Sequence, residues 1–223
     1  MKTIKECFYK NDKKLISVKW DHYFEIYEKF LLPFKDKHPV ILEIGLFNGG
    51  SCEMWNDYFQ GKCLIHGVDN RPTCLEIPAK LGVSNIKVDI GDQASVDFWN
   101  SFFDRYPDLK FDFIVDDGGH TMEQQIQTFK STFPRLKNGG VYICEDVHTS
   151  YMKERGGGDD RMDTFLNYSR KYVDKINSFH NNINFDAEIL DNVKSVHFYD
   201  SVVVFEKAKK VNPYVVWSNR KNK

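Results

Sequence analysis

The residues best placed to do chemistry are two carboxylate pairs. Asp116-Asp117 and Glu145-Asp146 each follow a short apolar run, and His120 stands just after the first pair. If the two runs are neighbouring strands, they lie ~4.8 Å apart and their terminal carboxylates can converge on one cation. Four oxygen-bearing side chains suit Mg²⁺ or Mn²⁺, with positions left for water and for two oxygens of a ligand. Such an ion orients a diol and lowers the pKa of one of its hydroxyls. The plainer alternative is that these acids cap helices or sit in water. A histidine at a helix entrance is usually structural, so only its acidic neighbours lift His120 above that reading; His148 is a second candidate base.

A second constellation lies upstream. Glu43-Ile44-Gly45-Leu46-Phe47-Asn48-Gly49-Gly50-Ser51 sets glycines between a strand and a helix, where backbone N–H groups can approach a ligand. The GxxxGG spacing departs from the dinucleotide GxGxxG, and no Lys-Ser or Lys-Thr follows to make a phosphate loop. Glycines at such a turn can also be purely structural. Asp69 ends the next strand, about twenty residues on, where an acid can accept both hydroxyls of an adenosyl ribose. Asp92 and Gln93, after the third strand, could bond an adenine amino group or form a solvated turn. Together, these successive strand ends argue for a nucleoside ligand more strongly than any one does.

These residues need a frame. Runs at 40–44, 63–68, 86–88, 111–115 and 141–144 read as buried strands, and helical patterns occupy 51–59, 74–81, 95–103 and 122–133. The alternation predicts a doubly wound α/β fold with a mostly parallel sheet. Thr121 with Gln124 reads as a capping box, and Pro134 and Gly139-Gly140 mark the passage into the fifth strand. Upstream, Trp20, Tyr23, Phe24, Tyr27, Phe30 and Leu31 have helical spacing, an aromatic stripe assigned to the core, and Pro33 helps end it. Downstream, Phe165, Leu166, Ser169, Tyr172, Ile176 and Phe179 predict another helix. Runs at 195–199 and 202–206, split by Asp200-Ser201, read as a hairpin. The glycine-rich loop at 154–160 either closes over a ligand or is an ordinary surface loop.

Glu43-Ile44-Gly45 with Gly49, then Asp69, then the closing hairpin resemble the class I S-adenosylmethionine-dependent methyltransferases over residues 38–207. That family has a seven-stranded sheet whose last strand inserts antiparallel, so the resemblance implies a Rossmann-like methyltransferase fold. More narrowly, Val115-Asp116-Asp117-Gly118-Gly119-His120, Phe133-Pro134, Gly139-Gly140-Val141-Tyr142-Ile143 and Glu145-Asp146-Val147-His148-Thr149-Ser150-Tyr151 resemble metal-dependent sugar O-methyltransferases of the macrolide-tailoring type. A related branch is cephalosporin hydroxylase-like. The resemblance implies S-adenosylmethionine bound by Glu43, Gly45, Asn48, Gly49, Ser51, Asp69, Asp92, Gln93 and Asp116. It also implies Mg²⁺ or Mn²⁺ on Asp117, Glu145 and Asp146, with His120 as general base and Asp117 beside it. A sugar or other polyol hydroxyl near His148 and Tyr151 would be methylated by direct displacement, releasing S-adenosylhomocysteine (SAH).

Composition narrows the alternatives. Lys and Arg total 31 against 32 Asp and Glu, a net charge of -1, which does not steer the chain toward nucleic acid or an anionic membrane. Lys207, Lys209 and Lys210 read as solvation of the tail. No run approaches the ~20 apolar residues of a membrane span, and the first residues lack the apolar stretch of a signal peptide. The five cysteines show no paired spacing and read as free thiols in a reducing compartment, so a cytoplasmic protein is expected. The expected organisation is one methyltransferase domain over 1–223: a helical segment at 1–37, the core at 38–207 and a tail at 208–223. The expected partner is a small-molecule hydroxyl acceptor, and homo-oligomerisation is left open. Competing readings are a hydroxylase-like oxidative enzyme and a non-catalytic adenosyl-binding subunit. The first would want a pair of metal histidines, for which the sequence offers no clear candidates.

Overall fold

The computed structural model describes residues 2–10, 12–187 and 189–218. The chain enters through a short helix, α1 (Ile4–Phe8), opened by a Thr3/Glu6 capping box, and then α2 (Tyr23–Leu31). The predicted aromatic stripe is buried on α2 from Tyr23 onward. Trp20 lies before the helix and is 58% exposed, so it does not belong to the stripe. Pro33 sits in the 3-10 turn Leu32–Phe34 that ends the element, as its fixed φ and missing N–H require.

Strand and helix then alternate: β1 (Val40–Ile44), α3 (Gly50–Tyr58), β2 (Leu64–Asp69), α4 (Ile77–Leu81), β3 (Ile86–Ile90), α5 (Val96–Arg105), β4 (Phe111–Asp116), α6 (Met122–Thr132) and β5 (Leu136–Cys144). After α7 (Phe165–Ile176) the chain closes with β6 (Val193–Tyr199) and β7 (Val202–Lys207). The seven strands lie in the order β3-β2-β1-β4-β5-β7-β6. β1 to β5 are parallel, while β7 inserts antiparallel to both β5 and β6. This is the doubly wound sheet with a closing hairpin that the sequence predicts. Because β1 neighbours both β2 and β4, the winding reverses there and a crevice opens at the strands' carboxyl ends.

Side chains on successive strand positions feed two cores. Ile41, Phe113 and Val115 face α1, α2 and α3, where Tyr27, Trp55 and Phe113 stack edge to face at 5.3 and 6.0 Å. Leu42 and Ile114 face α5, α6 and α7, where Phe129 meets Tyr142 and Phe205 at 5.0 and 4.4 Å. All five cysteines are buried and free. Among the described residues, no helix is long and apolar enough to cross a membrane.

Several boundaries differ from expectation. The fifth strand begins at Leu136, so Gly139-Gly140 lies inside it, at a register slip against β4 where Gly139 adopts φ +82°. The helix expected at 74–81 is split into a 3-10 turn, Pro72–Glu76, and the single turn of α4, with a proline in the first turn of each. β3 continues to Ile90, and α7 stops at Ile176, leaving Phe179 beyond it and 44% exposed. Positions 219–223 of the expected tail lie outside the described residues.

Candidate active site

The glycine turn after β1 brings two loops into contact. Gly45 adopts φ +84° and donates its N–H to the Val68 carbonyl at 2.9 Å. A Cβ there would stand 1.9 Å from the Asp117 carbonyl oxygen, so only glycine allows the loop after β4 to close on this turn. Asp69 Oδ2 accepts from the Leu46 and Phe47 amides at 2.9 and 3.2 Å. Its Oδ1 accepts from the Arg71 amide at 2.9 Å, and the Arg71 guanidinium spans both oxygens at 3.1 Å. Burial pushes the Asp69 pKa up, but the Arg71 donors and the Leu46 amide more than offset it and hold the carboxyl below its usual range. A cleft of about 230 Å³ opens above these strand ends, lined by Gly45, Asp69, Arg71, Asp92, Gln93 and Asp117 among others.

Other candidate cofactor residues do not line that cleft. Glu43 is buried beneath it with Oε2 receiving the Cys52 thiol at 3.3 Å and Oε1 unpartnered, and burial raises its pKa. Gly49 packs against Ile77 and Leu15, and Gly50 against the backbone of Ile16, so this glycine pair seats the N-terminal segment on α3. Ser51 is buried in the first turn of α3, and Asn48 borders a separate hollow with Leu15, Ile16 and Thr73. Asp116 is wholly buried, accepting from Gln93 Nε2 and the Tyr142 hydroxyl, both at 3.0 Å, and burial raises its pKa to about 7. Gln93 also accepts the Gly119 amide at 2.7 Å, so the Asp116–Gln93 pair braces the loop that carries the acids. Asp92 Oδ1 caps the Ala94 amide at 2.9 Å while still bordering the cleft.

Beside the cleft lies the acidic cluster. His120 and Asp146 both hold left-handed backbone, φ +57° and +53°, a conformation that non-glycine residues adopt only when their surroundings impose it. The expected Thr121/Gln124 capping box, with bonds of 3.3 and 3.2 Å, fixes the backbone immediately after His120. His120 Nε2 stands 3.7 Å from Asp117 Oδ1 and 3.4 Å from Asp146 Oδ2. Burial holds its pKa below 6.5 against the pull of both acids. Among the described residues, Asp117, His120 and Asp146 form a group whose donor atoms all lie within 4.8 Å of one another.

Glu145 sits deeper, and its oxygens are engaged. Lys19 Nζ bridges Glu145 Oε2 at 2.8 Å and Asp117 Oδ2 at 2.6 Å, and the Tyr27 hydroxyl donates to Glu145 Oε1. Burial and Asp117 raise the Glu145 pKa against the pull of Lys19. The Lys19 side chain is 1% exposed; burial disfavours its charge, but Asp117 and Glu145 more than restore it. Tyr23 donates to Asp146 Oδ1 at 2.6 Å. A second cleft, about 240 Å³, is lined by Val18, Lys19, Trp20 and Tyr23 on one side and by Asp117, Glu145 and Asp146 on the other. Converging hard carboxylates suit Mg²⁺ or Mn²⁺, with the His120 imidazole beside them, and the potential here already holds one buried cation, the Lys19 ammonium.

His148 and Tyr151 stand elsewhere. They line a third hollow, against Tyr199, Asp200 and Ser201 of the closing hairpin, with His148 Nδ1 bonded to Ser201 Oγ and 4.0 Å from Asp146 Oδ1. The glycine loop lies at the surface, anchored at Gly157 and Gly158, which are buried, with the Gly158 N–H donating to the Ser150 carbonyl at 2.9 Å. Arg155 ties it to the Gly119 carbonyl at 3.0 Å. Lys19, Tyr23, Tyr27 and Arg71 were not anticipated as site residues. One signal existed for the tyrosines, since Tyr rather than Phe at positions 23 and 27 of a buried helix face demands hydroxyl partners.

A seven-stranded sheet in this order, with its cleft at the reversal point and an acid ending β2, is the architecture of the class I methyltransferases. Residues 42–147 match the family model described as a methyltransferase domain. The chain is similar to 8-demethyl-8-alpha-L-rhamnosyl tetracenomycin-C 2'-O-methyltransferase of Streptomyces olivaceus, 30% identical over 83% of this chain and 50% of that protein. Mycinamicin VI 2''-O-methyltransferase of Micromonospora griseorubida is 27% identical over 82% of this chain and 47% of its own length. Among solved structures, MycE methyltransferase from the mycinamycin biosynthetic pathway, in complex with Mg, SAH and mycinamycin VI, superposes with a TM-score of 0.75. It is 24% identical, covering 92% of this chain and 53% of that one. The chain thus spans about half the length of these relatives.

Proposed function

We propose that this protein is an S-adenosylmethionine-dependent O-methyltransferase that uses Mg²⁺ or Mn²⁺ to present a hydroxyl of a sugar or other polyol. Asp117 carries the reading, because it lines both the nucleoside-type cleft and the acidic cleft. A methyl donor lying against Gly45 and Asp69 and an acceptor lying over the acids would face each other across that residue. The sugar O-methyltransferases among the relatives, and the Mg and SAH of the mycinamycin structure, support the same pairing. The free buried thiols support a reducing compartment such as the cytoplasm.

When bound, S-adenosylmethionine supplies a methyl on a good leaving group, and a cation held by Asp117, Glu145 and Asp146 would make the acceptor hydroxyl more acidic. Asp69 receives the ribose hydroxyls as the Arg71 guanidinium, 41% exposed, swings away from it. The Leu46 and Phe47 amides keep that carboxylate oriented during the exchange. His120 takes the acceptor proton at Nε2, the atom that faces both Asp117 and Asp146. Tyr23 and Tyr27 hold the carboxylates of Asp146 and Glu145 in one orientation. Val18 and Trp20 give the acceptor cleft an apolar side opposite the acids.

The test is a labelled methyl-transfer screen across sugars, glycosides and catechols, with calorimetry of SAH binding alongside. Transfer to a sugar or glycoside should stop in EDTA and return with Mg²⁺, and Asp69→Ala should weaken SAH binding by about tenfold or more, ~1.4 kcal/mol. Absence of SAH binding in the wild type overturns the methyltransferase reading, and full turnover after thorough chelation removes the metal from it.

A further inference from the structure

Lys19 presents a cation where the proposed metal would sit. Its ammonium bridges Asp117 Oδ2 at 2.6 Å and Glu145 Oε2 at 2.8 Å, and its side chain is 1% exposed. The flanking Val18 and Trp20 are 75% and 58% exposed, so this stretch turns only the lysine inward. Upstream, the strap is bound to α3: the Lys14 and Leu15 amides donate to Glu53 at 3.1 and 3.0 Å, and Ile16 accepts from the Gly50 N–H at 3.3 Å. Downstream, α2 begins at Tyr23, and the Tyr23 hydroxyl is itself bonded to Asp146. The segment 17–20 is therefore a short bridge between two fixed points, plugged into the site by one ammonium.

We propose that Lys19 is an intramolecular competitor of the divalent cation, so that metal binding expels it from Asp117 and Glu145 and releases the 17–20 strap over the acceptor cleft. The inference rests on the divalent-cation reading above. Two like charges on the same carboxylates, with no water between them, repel strongly in so buried a place. The ammonium neutralises the acids in the metal-free protein, which removes the cost of leaving buried charges unpaired. Once the ion takes those oxygens, the lysine has no partner there, and its long stem can carry the charge out to solvent. Val18 and Trp20 would then move with it, coupling the arrival of the metal to access for the acceptor.

The experiment uses the intact chain and two readouts besides turnover. Magnesium titration by calorimetry should give at least tenfold tighter binding for Lys19→Met than for the wild type, with Mn²⁺ behaving alike. In the wild type, trypsin should cut after Lys19 at least tenfold faster with saturating Mg²⁺ than in EDTA, while cleavage after the exposed Lys62 stays constant. The proteolysis arm needs no variant, so it holds if Lys19→Met folds poorly. Equal or weaker Mg²⁺ binding by the variant, or stronger protection of Lys19 with Mg²⁺, overturns the competition while leaving the metal reading intact. Failure of both proteins to bind Mg²⁺ or Mn²⁺ overturns the metal reading, and this inference with it.

Discussion

Gly45→Ala tests whether the glycine turn exists to let the Asp117 loop approach. An alanine at φ +84° carries a left-handed backbone penalty of about 1–2 kcal/mol. Its Cβ would lie 1.9 Å from the Asp117 carbonyl oxygen, about 1.5 Å short of the 3.4 Å at which ordinary contact begins. Overpacking of that kind adds about 1–3 kcal/mol, so the total is about 2–5 kcal/mol. Gly82→Ala is the control, because Gly82 has a similar φ of +72° with nothing within 4 Å of its would-be Cβ. It should lose only the backbone penalty, about 1–2 kcal/mol. Urea unfolding gives both stabilities, and calorimetry with SAH and Mg²⁺ gives the site. Gly45→Ala should weaken both ligands by about tenfold or more, since it displaces a wall shared by the two clefts, and Gly82→Ala should change neither. Equal stability losses for the two variants, or wild-type affinities in Gly45→Ala, would refute the reasoning.

Two further outcomes test the scaffold. Thr121→Ala removes the side chain that caps the Gln124 amide, and urea unfolding should show a loss of about 1 kcal/mol, largely restored by Thr121→Ser. His66 is 1% exposed against Phe102, Tyr106 and Phe111, with both ring nitrogens unpartnered, and burial lowers its pKa from 6.5 to about 4. Between those values the unfolded chain binds the proton and the folded one does not, so stability is complete above pH 6.5 and falls toward pH 4. The depressed pKa is worth about 2 kcal/mol of loss by pH 5 and about 3 kcal/mol below pH 4. His66→Phe should lack that component, and parallel acid unfolding curves for wild type and variant would contradict it.

Much of the scaffold was legible because it depends on local patterns. Parallel strands buried on both faces read as continuous apolar runs, which is why β1, β2 and β4 were found nearly to the residue. The hairpin and the capping box of α6 are likewise short-range signals. Boundaries failed where a neighbour overrode the pattern, as in β5, whose glycines are drawn into the ladder by pairing with β4.

The site divides in the same way. Because a parallel sheet aligns its carboxyl edge, the order of residues along the chain was enough to expect Asp69, Asp117, Glu145 and Asp146 at that edge, where Asp69 and Asp117 line one cleft and Asp117, Glu145 and Asp146 another. The tertiary structure alone decided which neighbours those residues share. It buried Asp116 as a brace, sent Glu43 beneath the cleft, turned Gly49 and Gly50 into a seat for the N-terminal strap, and moved His148 and Tyr151 to another hollow. It also brought Lys19 across 98 and 126 positions of chain to Asp117 and Glu145. Such a contact depends on how the N-terminal segment docks onto α3. No periodicity around position 19 encodes that docking, whereas the acids were placed by the strands that end in them.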